Sequence, residues 1–202
     1  MTAFDRFEDI TPVSYGMILA DPPWSFALRS ARGEAKSPAA HYGTMSFEDL
    51  QALDVARLGQ GDCLLFMWAC WPSLPQALET MKAWGFRYVT GGSWHKLTRH
   101  GKSAFGTGYV MRSATEPFLI GTLGSPTTAR DVRNVIVSAI DGAGIDAERR
   151  EHSRKPDSQY EICERLVPTA ARRLELFART RRKGWDCWGD ETEKFRSEQV
   201  TA

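Results

Sequence analysis

The chain has 202 residues, of which 42% are hydrophobic and 25% charged, and its 26 basic and 25 acidic side chains give a formal net charge of +1. This length suits one domain with a sizeable core, and the charge balance excludes a uniformly basic nucleic-acid binder while leaving room for a local basic face. No apolar run reaches the length of about 18 residues that a membrane span needs, and no charged-then-apolar leader is present, so a cytoplasmic location is predicted.

Strands and helices alternate along the sequence. Six apolar runs predict buried strands, at residues 15–20, 62–68, 86–94, 116–122, 135–140 and 172–178. Between them, apolar residues recur at helical intervals in residues 46–58, 72–85 and 156–167. Ser46, Pro72 and Pro156 stand where these helices are expected to start, and Gly85 fits a helix stop. Such alternation is typical of an α/β fold in which helices cover a mostly parallel sheet.

Two long segments fit neither pattern. Residues 25–45 and 97–115 are basic and rich in Gly, Ser and Ala. Long loops inside a compact domain are usually functional. Because both segments attach near strand ends, we expect them to border a functional site.

The sequence Asp21-Pro22-Pro23-Trp24 directly follows the first predicted strand. Two successive prolines stop strand pairing and force a rigid, extended corner, and in open α/β sheets ligands bind at the carboxyl ends of strands. One interpretation is structural: the prolines end the strand and Trp24 packs in the core. The other is a site for a planar ring with an amino group, in which Asp21 and the proline carbonyls accept hydrogen bonds and Trp24 forms a flat wall. These four residue types alone leave both interpretations open.

The cysteines point to no special chemistry. Cys63, Cys70, Cys163 and Cys187 show no CxxC spacing and no histidine at ligand distance, so we expect reduced thiols and no metal site. None of the four has the context of a nucleophilic cysteine that attacks cytosine C5.

Further motifs follow the DPPW corner in a fixed order. They are ADPPW, HYGTM, LLFMW, EPFLIG, HSRKPDSQYEICERLVP, RLELFAR and GWDCWGDE. Together they resemble the DPPW-type S-adenosylmethionine-dependent N6-adenine methyltransferases, the MT-A class that includes the catalytic subunit of the eukaryotic messenger-RNA adenosine methyltransferase. The resemblance covers residues 15–191, which are predicted as the catalytic domain. Residues 1–14 are then an N-terminal segment and residues 192–202 a C-terminal tail.

The resemblance implies a single-domain, Rossmann-like methyltransferase sheet in the permuted (beta-class) order, in which the catalytic strand precedes the cofactor strand. The candidate cofactor strand is RRLELFAR, near the C-terminus. The implied cofactor is S-adenosylmethionine. The implied reaction is direct transfer of its methyl group to adenine N6, without a covalent enzyme intermediate.

Site residues carry over from the family position by position. Asp21, Pro22, Pro23 and Trp24 are the implied catalytic residues. Asp21 is also implied near the methionine amine of the cofactor, and Lys155 would pair with the methionine carboxylate. The other implied cofactor contacts are Arg179, Arg181, Arg182, Asp190 and Glu191. This chain departs from the family there, because the family's catalytic subunit has His-Asn in place of Arg181-Arg182 and Asn-Gln in place of Asp190-Glu191.

Trp24, Tyr42 and Glu116 are implied around the acceptor adenine. A duplex substrate would require the adenine to be flipped out of the stack, between Trp24 and Tyr42. The basic side chains of the two long loops are the natural phosphate contacts beside that pocket: Arg29, Arg32, Lys36, Arg99, His100 and Lys102.

Three questions stay open at the level of sequence. DNA is favoured over RNA as the substrate, but no motif identifies a contact to a 2′-hydroxyl. The alternatives to a nucleic-acid methyltransferase are a non-catalytic nucleic-acid-binding subunit of the same fold and a methyltransferase acting on another amino group. The segments outside residues 15–191 are too short for a target-recognition domain, so we expect a homodimer or a partner subunit.

Overall fold

One eight-stranded sheet organises the described part of the chain. The computed structural model describes residues 1–24, 45–98, 100–106, 108, 110–139, 154–190 and 192. The strands are β1 (Ala3–Phe4), β2 (Tyr15–Ala20), β3 (Gly59–Trp68), β4 (Arg87–Leu97), β5 (Thr115–Leu123), β6 (Val135–Ala139), β7 (Arg173–Leu176) and β8 (Asp186–Trp188). Their order across the sheet is β1-β8-β7-β2-β3-β5-β4-β6.

The sheet is mostly parallel, as the sequence predicts. Among these strands only β5 is antiparallel to its neighbours, β3 and β4. Strand β2 lies between β7 and β3, so Ala20 at its end is paired with Leu176 and with Met67. The carboxyl ends of these three strands therefore meet at one edge, to which the antiparallel β5 brings its first residues. This arrangement confirms the predicted Rossmann-like sheet, with the catalytic strand β2 before the candidate cofactor strand β7 in the chain.

Helices cover the sheet in shorter pieces than predicted. They are α1 (Phe47–Ala52), α2 (Leu74–Ala83) and α3 (Ser158–Leu166), and short 3₁₀ turns occupy Ala56–Leu58 and Trp71–Ser73. Helix α1 starts as expected, because the Ser46 hydroxyl accepts a hydrogen bond from the backbone N–H of Asp49. Gly85 has a φ of 81° after α2, a conformation that suits glycine at a helix stop.

Two hydrophobic clusters lie on opposite faces of the sheet. Because successive side chains alternate along a strand, β2 sends Ile18 and Ala20 into one cluster, and Met17 and Leu19 into the other. All six residues of β2 are buried, as expected for a central strand with both faces covered. The end of β2 is consequently held rigidly.

Strands β1 and β8, the last two at one side of the sheet, were not predicted. They pair with each other in parallel, so the sheet extends into the segment 1–14 that the sequence places outside the domain. Asp186 at the start of β8 accepts hydrogen bonds from the Tyr15 hydroxyl and the Arg172 guanidinium. Within the described residues, no helix combines the length and apolarity that crossing a bilayer requires.

Candidate active site

The DPPW corner begins where β2 ends. The backbone N–H of Asp21 still donates to the Leu176 carbonyl at the end of β7, at 3.4 Å. The Pro22 carbonyl then accepts from the N–H of Trp24, and the Pro23 carbonyl from the N–H of Met45. Each proline carbonyl thus already has one backbone donor, which differs from the free acceptors expected from the sequence. A carbonyl oxygen has two lone pairs, so each keeps one further acceptor position.

Trp24 lies in the hydrophobic core. Its side chain is 3% exposed, its ring packs beside Phe47, and its indole N–H donates to the Trp68 carbonyl at 3.0 Å. It therefore joins the ends of β2 and β3, as the structural interpretation of the motif requires. The functional interpretation needs an exposed face of the Trp24 ring, whereas in this structure the ring is buried. Stacking of Trp24 on adenine stays a prediction.

Lys155 brings the site together. Its ammonium nitrogen lies 2.8 and 3.0 Å from the two carboxylate oxygens of Asp21 and 2.9 Å from Oε1 of Glu116. It also lies 5.3 Å from the centre of the Trp68 ring. The Lys155 side chain is only 6% exposed. Because a buried ammonium is stable only when it is paired, the two carboxylates account for the charged lysine at this position.

A second lysine completes this ion cluster. Lys96 at the end of β4 contacts Oε2 of Glu116 at 2.6 Å. The cluster therefore runs Lys96, Glu116, Lys155, Asp21, with alternating charges that sum to zero. Burial alone would lower the pKa of Lys155, but Asp21 and Glu116 outweigh it and raise that pKa. Burial acts to raise the pKa of Glu116, yet Lys155 and Lys96 hold it below the ordinary value.

Asp21 has a different balance. Burial raises its pKa, Lys155 opposes this, and the negative charge of Glu116 adds to the rise. A carboxylate whose charge is costly to bury is a strong hydrogen-bond acceptor for an approaching donor. An amino group that is becoming positive would relieve that cost.

Asp21 and Lys155 also line a cleft at the carboxyl ends of β2 and β7. The other residues that line it are Arg154, Asp157, Gln159, Tyr160, Glu175, Phe177, Arg179 and Thr180. Carboxylates and cations thus face one cleft, which matches the ammonium and carboxylate of a methionine moiety. The donor set fits S-adenosylmethionine. In the structure the Lys155 ammonium contacts Asp21 and Glu116, so its pairing with the methionine carboxylate stays a prediction.

The other predicted cofactor residues are placed less centrally. Arg179 lines the cleft, whereas Arg181, Arg182 and Asp190 are not among its lining residues. The Arg182 guanidinium lies 4.4 Å from the centre of the ring of Tyr160, which itself lines the cleft. Contacts from these residues to ribose or adenine stay predictions. Tyr42 and Glu191 lie outside the described residues, as do Arg29, Arg32, Lys36 and Arg99.

Sequence reasoning missed Glu175, a buried carboxyl group in the cleft. Its Oε2 accepts a hydrogen bond from the Tyr160 hydroxyl at 2.9 Å. Burial raises the pKa of Glu175 to about 8, Tyr160 opposes this, and Asp21 adds to it. A signal was present, because Glu175 is a charged residue in the middle of a strand that is otherwise apolar.

Lys96 was also missed. It lies between the predicted strand at residues 86–94 and the basic segment that begins at residue 97, where a lysine is ordinary. Its contact with Glu116 depends on β4 and β5 being antiparallel neighbours. The order of strands in a sheet is not readable from the residues around Lys96.

The MT-A70 family model matches residues 15–191. The chain belongs to the MT-A70 family. It is 33% identical to an N(6)-adenosine-methyltransferase MT-A70-like protein of Arabidopsis thaliana, over 88% of this chain and 24% of that protein. It is 30% identical to the type II methyltransferase M.MunI of a Mycoplasma species, over 92% of this chain and 81% of that protein.

A human relative is the N(6)-adenosine-methyltransferase catalytic subunit METTL3, 28% identical over 86% of this chain and 27% of that protein. The chain thus spans about a quarter of the length of the plant and human relatives. MT-A70 methyltransferases use S-adenosylmethionine as the methyl donor, in agreement with the donor set of the cleft. Among the described residues, no group of three or more His, Cys, Asp or Glu side chains is arranged to hold a metal ion.

Proposed function

We propose that this MT-A70 protein transfers the methyl group of S-adenosylmethionine to the N6 amino group of adenine in nucleic acid. The observation that carries the proposal is that Lys155, which is paired with Glu116, holds the Asp21 carboxylate at the DPPW corner, where Asp21 and Lys155 both line the cleft. Family membership over residues 15–191 supports the same reaction.

When bound, the cofactor supplies an electrophilic methyl group on a sulfonium. Asp21 accepts a hydrogen bond from the adenine amino group, orients its lone pair and favours the positive charge that develops on N6 as the S–CH3 bond breaks and the N6–CH3 bond forms; N6 then loses one proton to solvent. Lys155 holds the Asp21 carboxylate in place through both oxygens, and Glu116 holds Lys155. The rigid end of β2 keeps this geometry before substrate binds, so the alignment costs little when the complex forms.

DNA is the proposed substrate. The likeness to the type II methyltransferase M.MunI supports DNA. It carries more weight than the likeness to the adenosine methyltransferases, because it covers 81% of the relative's length. RNA is the second candidate, supported by relatives named N(6)-adenosine-methyltransferases, of which the chain covers about a quarter. The predicted basic loops suit either polyanion.

Assembly with a second subunit is also proposed, either a homodimer or a different partner. The human and zebrafish relatives are named as subunits, which supports this. We also propose a cytoplasmic location, which is supported by the observation that none of the four cysteines, all of them described, is in a disulfide. Light scattering on the purified protein tests the assembly, and a monomer at all concentrations would contradict a homodimer.

The reaction and its substrate are tested in cells that lack N6-methyladenine. Cells that produce the wild-type protein and cells that produce Asp21→Asn are compared by mass spectrometry of nucleosides from DNA and from total RNA. We expect N6-methyladenine in DNA with the wild type and none with Asp21→Asn. Methylation confined to RNA would overturn the DNA assignment, and equal levels with both proteins would overturn the role of Asp21.

A further inference from the structure

The loop between β4 and β5 is built onto the ion cluster. Lys96 donates its backbone N–H to the Ala114 carbonyl, and its own carbonyl accepts from the N–H of Ala104 at 2.8 Å. The Lys96 side chain contacts Glu116, the second residue of β5. Both ends of the loop therefore lie next to the ion cluster. Phe105 directly follows Ala104 and is held close to the cluster in the same way.

The loop presents apolar side chains to solvent. Phe105 is 81% exposed, Val110 98% and Met111 82%. The Phe105 ring has a cation beside it, because the Arg112 guanidinium lies 5.4 Å from the ring centre. An exposed aromatic ring with a guanidinium beside it is a common element of surfaces on which nucleic-acid bases stack.

The backbone holds this pair in a defined position. The N–H of Gly106 donates to the Ser113 carbonyl at 2.9 Å, directly joining the neighbours of Phe105 and Arg112. Below it, Leu97 bridges Ser103, and the Ser113 hydroxyl donates to the Thr115 carbonyl. A Cβ atom at Gly108 would collide with the Met111 carbonyl, so the backbones of these two residues approach each other closely. The ring and the guanidinium are therefore preorganised, which lowers the entropy cost of binding.

The charge of the loop favours a polyanion as its partner. Residues 97–115 contain Arg99, Lys102 and Arg112 and no Asp or Glu, in a chain whose net charge is only +1. An apolar tip that served a protein partner would not require this excess of one sign. Stacking on a base combines both features, because the ring covers the base face and the cations neutralise the phosphates.

We propose that Phe105 and Arg112 form a stacking platform for nucleic acid, in which Phe105 stacks on a base adjacent to the target adenine and Arg112 contacts a neighbouring phosphate. This proposal rests on the proposed function. Every base has a face on which an aromatic ring can stack, so the platform holds the strand in place beside the site without reading its sequence. It also compensates part of the stacking that a flipped adenine loses.

The test uses fluorescence anisotropy with labelled single-stranded and duplex oligonucleotides that contain one adenine. Phe105→Ala is expected to weaken binding about ten-fold, Phe105→Trp to preserve it, and Arg112→Ala to weaken it and reduce its salt dependence. The matched control is Tyr88→Ala, which removes a 49% exposed aromatic side chain near the opposite end of β4. It is expected to leave binding unchanged.

An abasic nucleotide on either side of the adenine makes the test specific. At one of the two positions the abasic nucleotide should weaken binding by the wild type. It should not weaken binding by Phe105→Ala any further, because this variant has already lost the ring that stacks on that base. Unchanged affinity of Phe105→Ala, or a full additional loss on the abasic strand, would overturn the proposal. If Phe105→Ala forms a smaller oligomer than the wild type and binds oligonucleotides with unchanged affinity, the loop belongs to a protein interface, and the proposal is overturned as well.

Methyl transfer measured on the same oligonucleotides separates this inference from the proposed function. A wild type that binds through Phe105 but methylates no adenine refutes the function and leaves the platform standing. Equal rates of adenine methylation by the wild type and by Phe105→Ala, at all strand concentrations, refute the platform alone. A wild type that binds no strand refutes the platform directly.

Discussion

Replacing Lys155 by methionine removes the central cation of the ion cluster while keeping a chain of similar length. The ammonium that makes contacts of 2.8, 3.0 and 2.9 Å is lost, and Asp21 and Glu116 keep only the positive charges of Lys96, which contacts Glu116, and of Arg179, which acts weakly on Asp21, among the described residues. Removing one partner of a buried ion pair costs about 3–5 kcal/mol, because the remaining charge is buried and unpaired. In a chain of this size that corresponds to a fall in Tm of roughly 6–20 °C.

The loss should depend on pH. In the variant, one carboxyl group of the Asp21–Glu116 pair has a folded pKa above its unfolded value, so its ionisation destabilises the fold as the pH rises. The paired Glu116 of the wild type has a lowered pKa, and the stability it contributes is present above its unfolded pKa of about 4.5 and lost below it. The Glu116 contribution is already present at pH 5, so the ionisation in the variant is the effect that makes the difference in stability larger at pH 8 than at pH 5.

Thermal melts of wild type and Lys155→Met at the two pH values test this, with Lys82→Met on the exposed face of α2 as the control. The control should change stability by less than about 0.5 kcal/mol at either pH. A loss for Lys155→Met that is the same at pH 5 and pH 8 would show that packing, and not charge, holds the site together.

Three further outcomes are expected. Glu175→Gln should raise Tm relative to the wild type at pH 9 but not at pH 4. The carboxyl group of Glu175 has a folded pKa near 8 and an unfolded pKa of about 4.5, so it destabilises the fold increasingly as the pH rises between these values. Equal melting curves of the two proteins at pH 9 would contradict this. Trp24→Phe should lower stability by about 1–3 kcal/mol in denaturant unfolding, because the Trp68 carbonyl loses its buried donor; an unchanged midpoint would show that the bond is dispensable. Calorimetry in the presence of EDTA should show S-adenosylmethionine binding to the wild type and weaker binding to Lys155→Met, and equal affinities would remove Lys155 from the cofactor site.

The parts of the fold that the sequence predicted are those with a strong local pattern. Strand β2 is apolar throughout and ends at two prolines, so both its burial and its end could be read from the residues. Strands β1 and β8 have two and three residues, too few for any period to show. The antiparallel direction of β5 was not predictable either, because alternation of side chains is the same in both directions.

The site combines local and distant signals in the same way. Asp21 was found because its motif is compact, and Lys155 and Glu116 through the family resemblance. Their mutual contact spans 134 residues between Asp21 and Lys155, and no pattern near either residue indicates it. Trp24 shows the limit of a motif, since its residue type fits a wall as well as a core and only the sheet packing places it in the core.

The central claim is that the Asp21 cluster catalyses methyl transfer to adenine N6. The most direct measurement incubates the purified protein with S-adenosylmethionine that carries a trideuterated methyl group and with adenine-containing DNA and RNA oligonucleotides, then identifies labelled nucleosides by mass spectrometry. We predict N6-trideuteromethyladenine with the wild type and with Asp131→Asn, a control at a carboxylate whose side chain is 73% exposed, and a loss of at least about 100-fold with Asp21→Asn. Label on another base or position, on no nucleoside, or at equal rates with Asp21→Asn would contradict the claim.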